Sequence, residues 1–295
     1  MNLLSSSAFC KSVKYDELNI IEISHPKFTA KICLQGAQIL SFKPNKQADF
    51  LWLSDTVEYK KGRSLRGGIP ICWPWFGVVD KNIGAVKNNI HSQAAHGFAR
   101  TMLWKLHEIK ESVHDVKISL CLESNPETLK DWPFTFKLFA HFSLSSHMNL
   151  SLETINTGSH AMCLTQALHT YFPTSDISKT SIHGFNKTHY IDALECWQEK
   201  QQTGKVTFDQ EVDRIYQSDG EFLLDSPDQC LKLQTENSQS TVVWNPWIKK
   251  SLTLSQFSAD DYRSMFCVES ANALDDVVKI DPNESQFLSM TLSAG

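Results

Sequence analysis

The sequence predicts an all-β protein built as a large antiparallel β-sandwich. Three observations point there. Apolar and polar residues alternate with period two along most of the chain, helical periodicity is confined to two short stretches, and turn residues rather than long crossovers separate the strand-like runs. In chain order, Phe28, Ala30, Ile32 and Leu34 alternate with Thr29, Lys31 and Cys33, giving an early strand with one apolar face. Val116, Ile118, Leu120 and Leu122 repeat the pattern against Lys117, Ser119, Cys121 and Glu123. Phe136, Leu138, Ala140, Phe142 and Leu144 form a third run, followed by MNLSLETINTG, which closes on an Asn-Thr-Gly turn. CLKLQTE, STVVWN and SQFLSMTLS read as later strands, and PETLKDWP and SADDYRSM are the helical candidates. The pattern extends from about Asn19 to Leu292 without a Pro/Gly/Ser linker or charge run, so one domain over residues 1–295 is expected. No repeat of fixed period is present, which argues against a propeller.

Composition narrows the class further. Hydrophobic residues make up 41% and charged residues 21%, as in a water-soluble globular protein. A net charge of −5 argues against a general nucleic-acid binder and means that an anionic ligand would need local cations. The eight cysteines are spread evenly, with no CxxC and no Cys/His cluster of zinc spacing, so no metal site is expected. The opening MNLLSSSAFCKSVKYDEL lacks the pattern of a signal peptide, and no run approaches the ~18 apolar residues of a membrane span. A cytoplasmic protein with reduced thiols is the expectation, with the N-x-[ST] matches at Asn149, Asn186 and Asn283 read as chance.

Two segments stand apart. RGGIPICWPWFG, Arg66 to Gly77, sets one charge among three glycines, two prolines and two tryptophans, a poor helix and an interrupted strand. HGFAR, His96 to Arg100, follows a stretch (DKNIGAVKNNIHSQAA) that reads as a loop too polar to pack. Glycine lets backbone approach a ligand closely, and a guanidinium fork matches phosphate oxygens. Arg66 and Arg100 are therefore candidates for anion binding, against the plain alternative of solvated surface charge. Trp73, Trp75, Phe76 and Phe98 offer flat faces for a sugar ring, although core packing is the ordinary expectation for any one of them.

His169 lies in the apolar run ALHTYF, where a lone histidine is ordinarily a satisfied core residue. Glu269 lies in FCVES, and burying a carboxylate among apolar residues costs several kcal/mol unless it is paired. In EVDRIY, an ordinary salt bridge is the plain reading of Asp213 and Arg214. GRSLRGG lacks the Gly-Lys-Ser/Thr end of a P-loop, and G-x-G-x-x-G, G-x-S-x-G and H-E-x-x-H are all absent.

Together, LQGAQILSFKP, LWLS, SLRGGIPICWPWFG, AAHGFAR, DWPFTFKLFAHF, ALHTYF, VDRIY, WNPW and FCVE resemble, in that order, segments of the aldose 1-epimerase superfamily. More narrowly they resemble its hexose-6-phosphate mutarotase (glucose-6-phosphate 1-epimerase) branch, over about residues 20 to 270. The resemblance implies a galactose mutarotase-like supersandwich with the sugar in a cleft on one concave sheet face. It implies an isomerase in which His169 and Glu269 are catalytic, Arg66, Arg100 and Asp213 bind phosphate and sugar, and His96 lines the cleft. Ala95 stands where some relatives carry glutamine, so that contact would fall to Gln93 or a water. It also implies no cofactor, a monomer, and a hexose 6-phosphate as partner, with glucose 6-phosphate the expected one.

Anomer exchange removes the C1 hydroxyl proton while protonating the ring oxygen, then reverses both transfers after rotation about C1–C2. On intrinsic pKa values, Glu269 would be the ionised base and His169 the protonated acid. Competing readings are a mutarotase for neutral sugars, which leaves the arginines unused, and a non-catalytic sugar-phosphate sensor, which would not need both His169 and Glu269. A glycoside hydrolase would want a carboxylate pair instead.

Overall fold

The computed structural model describes residues 3–295. Two large sheets dominate it, and every pairing between named strands is antiparallel. A nine-stranded sheet runs, edge to edge, through Val206–Thr207, Ser181–His183, Glu221–Asp225, Cys230–Glu236, Ser285–Ala294, Met148–Asn156, Phe136–Leu144, Val116–Glu123 and Lys105–Glu111. The eight-stranded sheet runs through Gln198–Gln201, His189–Asp192, Val212–Tyr216, Ser240–Asn245, Met265–Asn272, Gln166–Leu168 and Ile71–Cys72, with Tyr171–Pro173 also paired to Met265–Asn272. A four-stranded sheet of Cys10–Tyr15, Leu18–His25, Phe28–Cys33 and Gln38–Pro44 completes the main framework.

Alternation decides which residues meet between the sheets. Leu138, Ala140, Phe142, Leu150, Leu152 and Met290 point inward from the nine-stranded sheet. They share one buried cluster with Ile71, Leu168, Phe172, Val243, Phe266 and Val268 from the eight-stranded sheet. Each fully buried aliphatic or aromatic side chain of this kind contributes roughly 1.5–3 kcal/mol. Truncating Phe266 to alanine would leave a cavity that costs about 3–5 kcal/mol.

The Gly/Pro/Trp segment settles as a structural weld. Trp73 and Trp75 are wholly buried in the main core, as is most of Phe98. Trp73 Nε1 donates to Thr154 Oγ1 at 3.0 Å and so bridges to the opposite sheet, while Trp75 Nε1 donates to the Ala94 carbonyl at 2.8 Å. The glycines serve the same end. Gly67 and Gly68 have φ of 117° and 60°, and a Cβ on Gly68 would fall 2.2 Å from the Ile39 carbonyl oxygen. These glycines therefore admit a neighbouring strand, not a ligand as their setting in the sequence suggests.

The 80–95 stretch also differs from expectation. It contains a helical turn, Gly84–Lys87, whose Val86 is fully buried, and a buried Asn82 that donates to the Phe76 carbonyl. One apolar residue and one satisfied amide are enough to pack a segment that composition marks as solvent-exposed. Among the described residues no helix is long and apolar enough to cross a membrane, and no group of three His, Cys, Asp or Glu could hold a metal ion.

Candidate active site

The site follows from strand parity. In Met265–Asn272, Phe266 and Val268 enter the core, so Cys267 and Glu269 must face the other side of the sheet. Val242 pairs with Glu269, Trp244 with Cys267, and Asp213 with Trp244, which brings their side chains onto that same outer face. On the other flank, Leu168 pairs with Ser270 and Tyr171 with Cys267, and between these fixed points His169 falls opposite Glu269. The result is a His169 Nε2–Glu269 Oε1 separation of 3.4 Å, with the side chains only 11% and 2% exposed.

Aromatic rings fix the imidazole. Tyr171 lies parallel to it, with centroids 4.9 Å apart and planes 9° apart, and Trp244 meets it edge-on at 6.0 Å. His96 approaches at 5.9 Å from the third side. His96 itself sits at φ 64°, and its Nδ1 accepts the Gly77 amide at 3.3 Å. Burial, then Arg100, Arg66 and Lys250, push its pKa down to about 3. A neutral ring that accepts at Nδ1 must carry its proton on Nε2, so His96 is a fixed donor at neutral pH.

The chain has five arginines. Arg63, Arg214 and Arg263 each pair with a carboxylate. Arg66 and Arg100 make no such pair among the described residues. Arg66 Nη1 donates to the Tyr171 hydroxyl at 3.2 Å and Nε to the Ser255 carbonyl at 3.3 Å, while Arg100 Nη2 donates to the Ala95 carbonyl at 3.0 Å. Their positive charge is thus held by neutral acceptors, and both help depress the His169 pKa.

Asp213 is half-buried beside Lys250, whose Nζ lies 3.5 Å from it and 3.4 Å from Glu211. It does not pair with its chain neighbour Arg214, which points to the other face and approaches Asp192 at 3.9 Å. The structure therefore brings His169, Glu269 and His96 into one cluster, with Arg66, Arg100 and Asp213 around it. Gln93 is exposed, and Ala95 contributes its carbonyl to Arg100.

Four further residues line this face that sequence reasoning passed over. Tyr171 and Trp244 could have been found by carrying the parity of His169 and Val242 two residues onward. Trp52, stacked on Tyr171 from a loop, and Lys250, brought in by the helical segment Trp247–Ser251, had no comparable signal.

The charge states expected from intrinsic pKa values are reversed here. Burial first, then Asp213, raise the Glu269 pKa well above the carboxylate range, and Arg100 only partly opposes this. Burial first, then His96, Arg100 and Arg66, hold His169 well below the usual imidazole value. Both groups favour their neutral forms because a charge in this pocket loses more hydration than its neighbours return. Glu269 Oε2 and His169 Nδ1 are buried without a hydrogen-bond partner. A polyhydroxylated ligand would supply donors and acceptors to just such atoms.

The sandwich holds a buried histidine–glutamate pair on one sheet face, and comparison with known proteins gives the class: a carbohydrate epimerase. The family model for aldose 1-epimerase matches residues 19–293, and the chain belongs to that family of isomerases. An Escherichia coli K12 protein named "Putative glucose-6-phosphate 1-epimerase" is 34% identical over 265 residues, covering 88% of this chain and 85% of its own. A Haemophilus influenzae protein of the same name is 32% identical, covering 77% and 74%. The crystal structure of a Salmonella typhimurium "putative mutarotase" superposes with a TM-score of 0.88 at 28% identity, covering 98% of this chain and 94% of that one.

Proposed function

We propose that this enzyme interconverts the α and β anomers of a hexose 6-phosphate, with glucose 6-phosphate as the substrate. One observation carries the phosphate half of the reading: of five arginines, the two without a carboxylate partner are the two beside the buried His–Glu pair. A neutral sugar would leave both guanidinium charges unanswered. A phosphate of about −1.5 to −2 charge answers them. The names of the relatives support the same substrate.

The chemistry needs one proton accepted and one donated, and the pair holds a single mobile proton over its 3.4 Å gap. Neutral carboxyl with neutral imidazole, and carboxylate with imidazolium, contain equal numbers of protons. A bound phosphate dianion offsets the arginine charges that depress His169 and so favours the second arrangement. Glu269 then takes the O1 proton while His169 protonates the ring oxygen. The ring opens to the aldehyde, C1–C2 rotates, and closure on the opposite face returns both protons. Asp213 and the Nε2 of His96 hold sugar hydroxyls. The same reading makes the protein a single-domain cytoplasmic monomer, which sedimentation and localisation of the intact chain would check. The direct test is the anomer exchange rate of glucose 6-phosphate by NMR with and without the protein. A rate no faster than the spontaneous one would reject the function.

A further inference from the structure

Tyr171 occupies the point where the two halves of this site meet. Its hydroxyl accepts from Arg66 Nη1 at 3.2 Å and makes no other hydrogen bond among the described residues. Its ring lies flat against His169, 4.9 Å between centroids and 9° between planes. The opposite support is equally firm. Trp52 stacks on Tyr171 at 5.8 Å and 21°, Trp244 meets its ring edge-on at 6.2 Å, and the whole residue is 2% exposed.

We propose that Tyr171 is a positioning residue with two separable roles, its hydroxyl orienting Arg66 toward the phosphate and its ring orienting His169. The inference rests on the hexose-6-phosphate reading and goes beyond it. The strand Tyr171–Pro173 is paired to Met265–Asn272, which also carries Glu269, so the backbones that carry the ring and the base are held together, and Trp52 and Trp244 hold the ring itself. Burial raises the phenol pKa further, so the hydroxyl stays protonated and neutral beside Arg66. It therefore accepts from the guanidinium without neutralising it, which leaves the full charge of Arg66 for the anion. A carboxylate in that place would bind Arg66 better and the phosphate worse.

The two functions of the side chain can be separated by substitution. Tyr171→Phe keeps the stacked ring and removes only the hydroxyl. For glucose 6-phosphate we expect KM to rise about three- to tenfold, the size of one ordinary net hydrogen bond, with kcat within about twofold of the parent. Exchange of free glucose should be unaffected. Tyr171→Leu also removes the flat face, and kcat should fall about tenfold or more on both sugars; the recovery of kcat in Tyr171→Phe then separates ring from hydroxyl. The hydroxyl acts through Arg66, so in an Arg66→Ala background Tyr171→Phe should add less than about twofold to KM. An unchanged KM in Tyr171→Phe, full additivity with Arg66→Ala, or equal kcat loss in Tyr171→Phe and Tyr171→Leu overturns the inference and leaves the function standing. If Arg66→Ala itself spares KM for the phosphorylated sugar, the phosphate reading falls and this inference with it.

Discussion

The described residues hold two further cross-strand histidine–glutamate pairs, the exposed His189–Glu199 and the partly buried His141–Glu153, and the latter invites comparison with the site. On the outer face of the nine-stranded sheet, His141 Nε2 lies 3.1 Å from Glu153 Oε2, closer than His169 lies to Glu269. Ser119 Oγ bonds the other imidazole nitrogen at 2.8 Å. By residue type and distance this set looks the more catalytic of the two. Yet its side chains are 34% and 19% exposed, against 11% and 2%, and no arginine flanks it. Its polar atoms are satisfied, whereas His169 Nδ1 and Glu269 Oε2 are buried and unmet. Proximity alone is therefore uninformative. What sets the His169–Glu269 pair apart is unspent, buried hydrogen-bonding capacity together with two arginines that lack a carboxylate partner.

The sharpest way to break the comparison is to remove each pair in turn. His169→Ala or Glu269→Gln should lower kcat on glucose 6-phosphate by about 10²-fold or more, with binding largely retained. His141→Ala should leave kcat within about twofold. Comparable losses from both pairs, in the same NMR exchange assay, would mean that burial does not distinguish them.

The arginines come next in size. Arg66→Ala or Arg100→Ala should raise KM for glucose 6-phosphate about tenfold or more, since a charge-assisted contact contributes roughly 1.5–3 kcal/mol. Free glucose should respond little. Equal losses on both sugars would convert the arginines from anion binders into structural residues.

Stability against pH separates the pairs by a smaller margin. The folded chain keeps the Glu269 proton above pH 4.5 while the unfolded chain loses it, so this group lowers stability as pH rises. His169 works the other way, because below pH 6.5 only the unfolded chain takes up its proton. Between those values the two slopes offset each other. Glu269→Gln leaves only the histidine slope, so its stability relative to the parent should rise with pH above 4.5, by up to about 1.4 kcal/mol per unit. Denaturant titrations from pH 4.5 to 8 would show it, and parallel curves would refute the neutral carboxyl. Last, Glu153→Gln should change stability by no more than about 1 kcal/mol, as expected of a partly solvated polar pair.

The sequence was most legible where alternation is strict. Phe136–Leu144, Cys230–Glu236 and Ser285–Ala294 coincide with runs readable from period two alone, because one buried face leaves the pattern no freedom. His169 and Glu269 were legible through resemblance, and parity explains why they share a face. Lys250 was not, since it reaches Asp213 from a short helical segment, Trp247–Ser251, whose placement depends on contacts distant in sequence. Neither were the charge states: a residue's type gives its intrinsic pKa, while the shift comes from a pocket assembled by several strands. The glycines misled for a related reason. A positive φ can be anticipated, but whether the space beside it holds a ligand or the Ile39 carbonyl is a fact of tertiary structure.

Glu269 extends from a strand and His169 from the short break between two strands paired to it, so their spacing is set by the ladders on either side, where neighbouring strands lie about 4.8 Å apart. Neither group rides on a hinge. An epimerase must nevertheless address C1 from both sides, since that is the difference between its substrate and its product. With both groups attached to one sheet, the part of the cycle that turns is the sugar: its aldehyde carbon rotates between them. The tether for such a rotor has to be at the far end of the molecule from C1, and a 6-phosphate is as far as a hexose allows.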